Sequence, residues 1–277
     1  MIEKQITAEY RDHMGSDLSV VNAARASFGK DSEWLNHRDP NVQPYDNQVW
    51  QAKENQLLSL KKADASLINF LASGYRSSEW ADFLDQIKNA VLNSPPTGID
   101  DNLTALMKGY KNKAQHWAPF AHPHITIRIQ IPIFLARQFV KHQVGGVWSE
   151  ESRRYISDMP EVWMPDKWHT RPEDIKQGSG DLIEEQDQAT EIAAISTKSA
   201  LGSYNYLIGA KVAPEEARIV LPLNMMTTVV WTGSLLFWVR VFNLRADSHA
   251  QLAAQELAKL IAGIIRPLYP VSWDALT

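Results

Sequence analysis

A strand-to-helix junction at residues 124–142 constrains the fold more than any other stretch of the chain. Isoleucines occupy every second position of HITIRIQI, which predicts a β-strand with one buried face. Pro132 ends this strand and suits the first position of the helix IFLARQFVKHQ, which the glycines of VGG then end. We therefore expect a sheet beside the helices.

The remaining patterns are mostly helical. Apolar residues at helical spacing predict helices over 15–28, near 47–62, and over 64–74, 77–92, 102–112, 186–210, 214–221, 234–244 and 248–268. TTVVW at 227–231 predicts a second strand, and 157–185 is typical of a loop. Because strands and helices do not alternate regularly, we expect an α+β fold. It would be a helix-rich single domain over residues 1–277, built around a small, mostly antiparallel sheet.

Composition narrows the possible functions. The formal net charge of −4 does not favour coating of nucleic acid, although a local basic patch could still bind phosphate. The apolar runs are too short to span a bilayer, and the first residues lack the apolar core of a signal peptide, so we expect a cytoplasmic protein. The absence of cysteine excludes disulfides, thiolate metal sites and a catalytic thiol.

The stretch KHQVGGVWSEESRRY, residues 141–155, begins on the helix that follows Pro132. On that helix Gln138 precedes Lys141 by three positions and His142 by four, so the three side chains share a side. The glycines that follow would let backbone amides approach an anion closely.

Beyond the glycines, Glu150, Ser152 and Arg154 occupy alternate positions. In an extended segment they would point the same way, and an acceptor, a hydroxyl and a guanidinium together suit a ligand with hydroxyl and phosphate groups. A solvated loop with an internal Glu–Arg pair explains the same residues.

Three other stretches are rich in polar groups. HWAPFAHPH (116–124) has three histidines, but without another ligand set nearby we favour structural or solvent-facing histidines and predict no metal site. Arg218 opens the apolar ARIVLPLN, where it either snorkels or binds a phosphate or carboxylate. NLRADSHAQ (243–251) is either a capped helix junction or a ligand-binding run.

Taken together, these stretches resemble the flavin-dependent thymidylate synthases. ARIVLPLN and NLRADSHAQ are similar to that family almost letter for letter, and GSDLSVVNAARASF and HWAPFAH look like its N-terminal helix and its histidine loop. KHQVGGVWSEESRRY resembles the family's Arg-His-Arg, spacer, Ser, Arg-Tyr hallmark. The matched stretches lie in the family's order, from residue 14 to about 251.

The resemblance implies a methyltransferase that converts dUMP to dTMP. The carbon would come from methylenetetrahydrofolate, and the hydride from FAD reduced by NADPH. The family assembles as a homotetramer that shares its sites between subunits. The lack of cysteine agrees, because the unrelated route to dTMP uses a cysteine thiolate.

The resemblance also implies site residues. The catalytic candidates are Arg245, Ser152 and His116. Arg245 would polarise the uracil ring, and His116 would lie beside the flavin and the folate. The residues implied to bind dUMP are Gln138, Lys141, Glu150, Ser152, Arg153, Arg154, Arg218 and Arg245. Those implied to bind FAD are Ser27, Ala118, Lys141, His142, Gln143, Glu150, Ser234, Leu236 and Arg240.

The chain departs from the family pattern in two ways. Lys141 and Gln143 replace the two hallmark arginines. Both planar guanidinium forks and, at Gln143, one charge are therefore lost, and Arg240 is the candidate to supply that charge. We expect a helical insertion at about 30–113, which is either a surface elaboration or an element that alters subunit contacts or covers the folate. A flavin- or nucleotide-binding homologue without methyl transfer is therefore the main alternative, and a nucleic-acid-binding module the other.

Overall fold

The structure, a computed structural model, describes residues 2–53, 56–74, 78–92, 107, 116–172 and 178–277. These residues group into two compact units, and the single domain predicted over 1–277 stays a prediction. The first unit comprises Met1–His13 and Ile125–Ile264, and the second comprises Met14–His124 and Ile265–Thr277.

The elements are those of an α+β protein, as expected. The strands are β1 (Thr7–Met14), β2 (Leu35–Asn36), β3 (Trp50–Lys53), β4 (Gln56–Ser59), β5 (His124–Pro132), β6 (Gly146–Glu150) and β7 (Met226–Ser234). The helices are α1 (Asp17–Arg25), α2 (Lys62–Ala72), α3 (Ser78–Leu92), α4 (Ala118–Ala121), α5 (Ile133–Phe139), α6 (Gln186–Gly209), α7 (Pro214–Ala217), α8 (Leu235–Arg245), α9 (Leu252–Ile265) and α10 (Pro270–Leu276).

A four-stranded sheet with the order β1-β5-β7-β6 organises the first unit. The predicted alternation of β5 is confirmed, because Ile125, Ile127, Ile129 and Ile131 are all fully buried. The side chains between them face the other way, and Thr126 hydrogen bonds Thr232 of β7 over 3.0 Å. Pro132 then leads into α5, so the junction predicted from the sequence is present.

Two facing glycines fix how β6 and β7 pack under α8. The strands pair antiparallel, with Gly146 opposite Gly233. A Cβ at Gly146 would lie 2.6 Å from the ring of Phe237, and one at Gly233 would lie 2.0 Å from it. Gly145, with a φ of +87°, makes the turn into β6. The VGG stretch therefore ends α5, turns the chain and leaves room for an aromatic ring.

The second unit departs most from the sequence-based expectation. Residues 47–62 were predicted to be helical, but β3 and β4 occupy them and form an antiparallel sheet of order β2-β4-β3. Sequence reasoning also missed β1, β6 and α10. The helices predicted over 64–74 and 77–92 are present as α2 and α3. The helix predicted over 102–112 lies outside the described residues, apart from Met107.

The expected insertion at 30–113 contributes to the core of the second unit. Leu60, Ile68 and Leu71 are buried, and α2 contacts both α1 and α10. The carboxylate of Asp64 is fully buried and accepts hydrogen bonds from Arg25 and from the Ser32 hydroxyl. The part of this segment up to residue 74 therefore contributes buried side chains to the unit, and the role of the insertion stays a prediction.

A second buried carboxylate joins the two ends of this unit. Asp17, at the start of α1, accepts hydrogen bonds from the backbone N–H groups of Val271 and Ser272, each over 2.9 Å. These amides open α10, so Asp17 caps that helix. Burial raises the pKa of Asp17 to about 6.

Among the helices that the structure describes, none has the length and apolar character that a membrane span requires.

Candidate functional site

A cavity of about 740 Å³ in the first unit brings together four of the residues predicted to bind the nucleotide. It opens where β6 ends, between the loop that follows β6 and the short 3₁₀ turn at Arg218–Val220. Its lining includes Ile133, Arg137, Glu150, Glu151, Ser152, Arg153, Arg218, Leu221, Pro222 and Thr227. We call it the arginine pocket.

Glu150 is held in place at the end of β6. One carboxylate oxygen accepts a hydrogen bond from the hydroxyl of Thr227 over 3.1 Å, and the other accepts one from the indole N–H of Trp148, also over 3.1 Å. The side chain stays exposed, so it presents a fixed acceptor to the pocket.

The chain turns at Ser152–Tyr155, shortly after β6, which corrects one expectation. Glu150, Ser152 and Arg154 were expected to point the same way in an extended segment. Instead the N–H of Tyr155 donates to the carbonyl oxygen of Ser152 over 3.1 Å. The hydroxyl of Ser152 accepts from the N–H of Arg154 over 3.3 Å, as in a tight turn. Ser152 and Arg153 line the pocket, whereas Arg154 does not.

Arg153 is the most firmly held cation of the pocket. Its side chain is only 12% exposed, its Nη2 lies 3.6 Å from a carboxylate oxygen of Glu151, and its Nη1 donates to the carbonyl oxygen of Asp158 over 2.6 Å. An internal Glu–Arg pair, as expected for a solvated loop, is thus present. The Nε of Arg153 is nevertheless buried without a hydrogen-bond partner among the described residues. A buried donor without a partner is unfavourable, so an acceptor supplied by a ligand would stabilise it.

Arg218 also lines the pocket, and Arg154 lies close to it without lining it. Arg218 is exposed, and its Nε donates to the carbonyl oxygen of Glu215 over 3.2 Å. The Nε of Arg154 lies 3.6 Å from the carboxylate of the same Glu215. Arg137 also lines the pocket. Sequence reasoning missed Arg137, although its position beside Gln138 on α5 was a usable signal.

Arg245 forms a second cluster at the end of α5. Its Nε donates to the Nε2 of His142 over 3.0 Å, and one terminal nitrogen donates to the backbone oxygen of Gln138 over 3.4 Å. Its guanidinium carbon lies 5.6 Å from the centre of the Phe139 ring. The side-chain oxygen of Gln138 is buried without a hydrogen-bond partner among the described residues. The structure therefore brings Gln138, His142 and Arg245 together. The family resemblance assigned Gln138 and Arg245 to dUMP and His142 to FAD, and these roles stay predictions.

The electrostatics of this cluster favour a neutral imidazole. Burial, followed by the charge of Arg245, lowers the pKa of His142. Burial also lowers the pKa of Arg245, which at neutral pH remains charged. An imidazole nitrogen accepts a hydrogen bond only when it is unprotonated, so the contact requires neutral His142 with its proton on Nδ1. Arg245 is then a half-buried cation whose known partners are uncharged.

Comparison with known proteins gives the family. The family model described as thymidylate synthase complementing protein (Thy1) matches residues 11–271. The chain belongs to this family. A flavin-dependent thymidylate synthase of Kosmotoga olearia is 34% identical over 163 residues, which is 58% of this chain and 70% of the relative. The enzyme of that name from Ehrlichia ruminantium is 26% identical over 268 residues, 95% of this chain and 68% of the relative.

A solved structure shares the fold. A UMP/dUMP methylase, PolB, from Streptomyces cacaoi, bound with 5-Br dUMP, matches with a TM-score of 0.67 and 22% identity. The match covers 99% of this chain and 95% of that chain.

The residues that the family resemblance assigned to FAD have contrasting environments in the first unit. Lys141, Gln143 and Arg240 are exposed. Ser234 is buried, and its hydroxyl accepts a hydrogen bond from the N–H of Phe237 over 3.2 Å, which caps α8. Leu236 is also buried, with 2% exposure. The burial of Ser234 and Leu236 gives no support to their predicted flavin contacts.

The other family-derived candidates belong to the second unit. Ser27 lies in the exposed 3₁₀ turn after α1, and Ala118 is exposed at the start of α4. His116 is exposed, its N–H donates to the carbonyl oxygen of Leu71 over 3.3 Å, and its ring lies 5.9 Å from that of Phe70. No group of three or more potential metal-binding side chains occurs among the described residues.

Proposed function

We propose that this protein is a flavin-dependent thymidylate synthase that methylates dUMP to dTMP. Methylenetetrahydrofolate would supply the carbon, and FAD reduced by NADPH the hydride. The observation that carries the proposal is the arginine pocket, with Glu150, Ser152, Arg153 and Arg218 around one opening, in a chain of the Thy1 family.

The pocket suits a nucleoside monophosphate. Arg153 and Arg218, with Arg137 at the rim, provide guanidinium groups for a phosphate dianion. Glu150 and Ser152 provide acceptors, and Ser152 also a hydroxyl donor, for the sugar. The hydroxyl of Ser152 contacts a backbone amide in its own turn and not a base that would activate it, so we assign it to binding and not to covalent attack.

Arg245 is the residue that we assign to transition-state stabilisation. As a half-buried cation held by a neutral imidazole and a backbone carbonyl, it is oriented in advance and keeps its charge for a ligand. Donors of this kind, aimed at an oxygen that gains negative charge, typically lower a barrier by about 3–4 kcal/mol. The unpaired side-chain oxygen of Gln138 would accept a hydrogen bond from the same ligand.

The flavin contacts of the first unit would come from exposed polar residues. Lys141 and Arg240 carry charges suited to a pyrophosphate, and Gln143 carries an amide, so the donor chemistry fits FAD. When bound, reduced FAD would supply the hydride, which no amino-acid side chain can provide. The flavin route also needs no catalytic thiol, and this chain has no cysteine. His116, Ser27 and Ala118 remain candidates for the flavin and folate contacts of the second unit.

We also propose a homotetramer that completes these sites between copies, in the cytoplasm. Several large apolar side chains near the site residues are exposed in the single chain, among them Val144, Val147, Tyr155 and Ile219. Apolar surface of this kind commonly marks an interface. Light scattering on the purified protein tests the assembly, and a monomer would contradict it.

The enzymatic proposal is tested by reconstitution. The purified protein is given FAD, NADPH, methylenetetrahydrofolate and dUMP, and flavin absorbance and dTMP are measured. We expect a yellow protein that forms dTMP and loses turnover by about 100-fold or more on Arg245→Met. A yellow protein that forms no dTMP would favour the homologue without methyl transfer, and a protein that takes up no FAD would contradict both.

A further inference from the structure

The first unit contains a second large cavity, of about 730 Å³, to which no role in the proposed reaction has been assigned. Three aromatic side chains, Phe134, Trp163 and Trp168, line it. Two carboxylates, Asp166 and Glu256, line it as well. We call it the aromatic cavity. Its volume lies within the range of small-molecule sites, which are mainly apolar with a few fixed polar groups.

The aromatic walls are held in place by contacts within the unit. The rings of Phe134 and Trp163 lie 5.5 Å apart at 57°. The amide of Asn224 donates to the carbonyl oxygen of Trp163 over 2.9 Å. The indole N–H of Trp168 donates to the Thr190 hydroxyl over 2.9 Å. The rings therefore need little reordering to receive a flat ligand, which limits the entropy lost on binding.

The backbone of Trp168 is anchored as well. Its N–H donates to the side-chain oxygen of Gln186 over 2.8 Å, and its carbonyl oxygen accepts from the amide of that side chain over 2.7 Å. This double contact fixes the loop that carries Asp166 and Trp168 to the start of α6.

The charges of the cavity favour a cation. Burial, followed by the charge of Asp166, raises the pKa of Glu256, so the two like charges act on each other although both side chains are exposed. Lys167 also lines the cavity, so its two carboxylates and one ammonium leave one negative unit. A positive group between Asp166 and Glu256 would relieve their repulsion, and aromatic faces attract cations.

We propose that the aromatic cavity binds a small organic cation with a flat ring, the ring against Trp163 and Trp168 and the positive group at Asp166 and Glu256. The class comprises aryl amidines and protonated arylalkyl amines. Among the described residues, the aromatic cavity shares Leu223 with the arginine pocket and no lining residue with the Arg245 cluster. Binding of this cation therefore does not depend on the enzymatic function.

Three probes of nearly the same shape test the proposal: benzamidine (cationic), benzamide (neutral) and benzoate (anionic). Their binding to the full chain, in the assembly state in which it is purified, is measured by calorimetry and by tryptophan fluorescence. We expect benzamidine to bind at least tenfold more tightly than either of the others. Equal binding of all three, or no benzamidine binding at millimolar concentration, would overturn the proposal, the latter including the case in which a second copy covers the cavity.

Two variants locate the binding. Glu256→Gln keeps the side-chain shape and removes the charge, so benzamidine affinity should fall about tenfold while benzamide affinity stays unchanged. Glu191→Gln is the matched control, because Glu191 is an exposed carboxylate of α6 outside the lining. Unchanged benzamidine affinity in Glu256→Gln, with its fold verified by circular dichroism, would show that the cation binds elsewhere.

Discussion

Two half-buried arginines, one in each unit, are held in opposite ways. Arg25, at the end of α1, lies against the fully buried carboxylate of Asp64, which also accepts a hydrogen bond from Ser32. Arg245, at the end of α8, donates to a neutral imidazole and to a backbone carbonyl. The first charge is neutralised within the chain, and the second is not neutralised by the partners described.

The difference separates a structural arginine from a functional one. A buried ion pair is satisfied once the chain has folded, and removing one partner leaves a charge without compensation. An arginine that faces only neutral acceptors is fixed in direction but keeps its field for an incoming anion or a developing oxyanion. Stability should therefore depend on the Arg25 cluster, and turnover on the Arg245 cluster.

The largest expected effect is on folding. Asp64→Ala removes the carboxylate that neutralises Arg25, and the free energy of unfolding should fall by about 3–5 kcal/mol. Urea denaturation measures this change. Asp85→Ala is the control, because Asp85 is exposed on α3 and its loss should change stability by less than about 0.5 kcal/mol. A loss below about 1 kcal/mol in Asp64→Ala would remove the distinction drawn between the two arginines.

The next effect is on catalysis. Arg245→Met should lower kcat by about 100- to 1000-fold, because a preorganised donor is lost, while the urea midpoint shifts little. Arg25→Met should do the reverse and lower stability with native-like kcat in the protein that remains folded. Arg266→Met is a further control, since Arg266 forms an exposed pair with Asp274. An Arg245→Met protein that is inactive only because it has unfolded would contradict the assignment.

Local sequence patterns predicted many of the helices and strands of the first unit. The β5–α5 junction could be predicted from the sequence because its signals act between neighbouring residues. These signals are the alternating isoleucines, the proline after them and the glycines after α5. The pairing of β6 with β7 could not be predicted in this way, because it depends on Gly146 and Gly233 leaving room for the ring of Phe237. A contact between residues about 90 positions apart leaves no periodic signal in either segment.

The second unit was predicted less well for the same physical reason. Residues 47–62 have apolar side chains at spacings compatible with a helix, but cross-strand pairing of β3 and β4 overrides that local preference. For the candidate site, motif resemblance named the residues of the arginine pocket, whereas the turn at Ser152 and the role of Arg137 needed the three-dimensional structure. Residue type indicates chemistry, and the direction of a side chain depends on the fold.

The smallest and most selective effect is the pH dependence of the contact between His142 and Arg245. His142 accepts from Arg245 only while it is neutral, and burial and the charge of Arg245 lower its pKa below the ordinary 6.5. As pH falls from 6.5 through that lowered pKa, unfolded chains bind a proton that folded chains resist, so this contribution to stability is lost with falling pH. In the folded protein the protonated ring would face a second cation, and kcat should fall on the acid side.

His142→Gln replaces the nitrogen by an amide oxygen that accepts at every pH. Its kcat should therefore stay nearly level over the acid range in which native kcat declines, whereas His122→Gln, which changes an exposed histidine of the second unit, should keep the native profile. An acid decline that persists unchanged in His142→Gln would mean that another group titrates and that the imidazole does not orient Arg245.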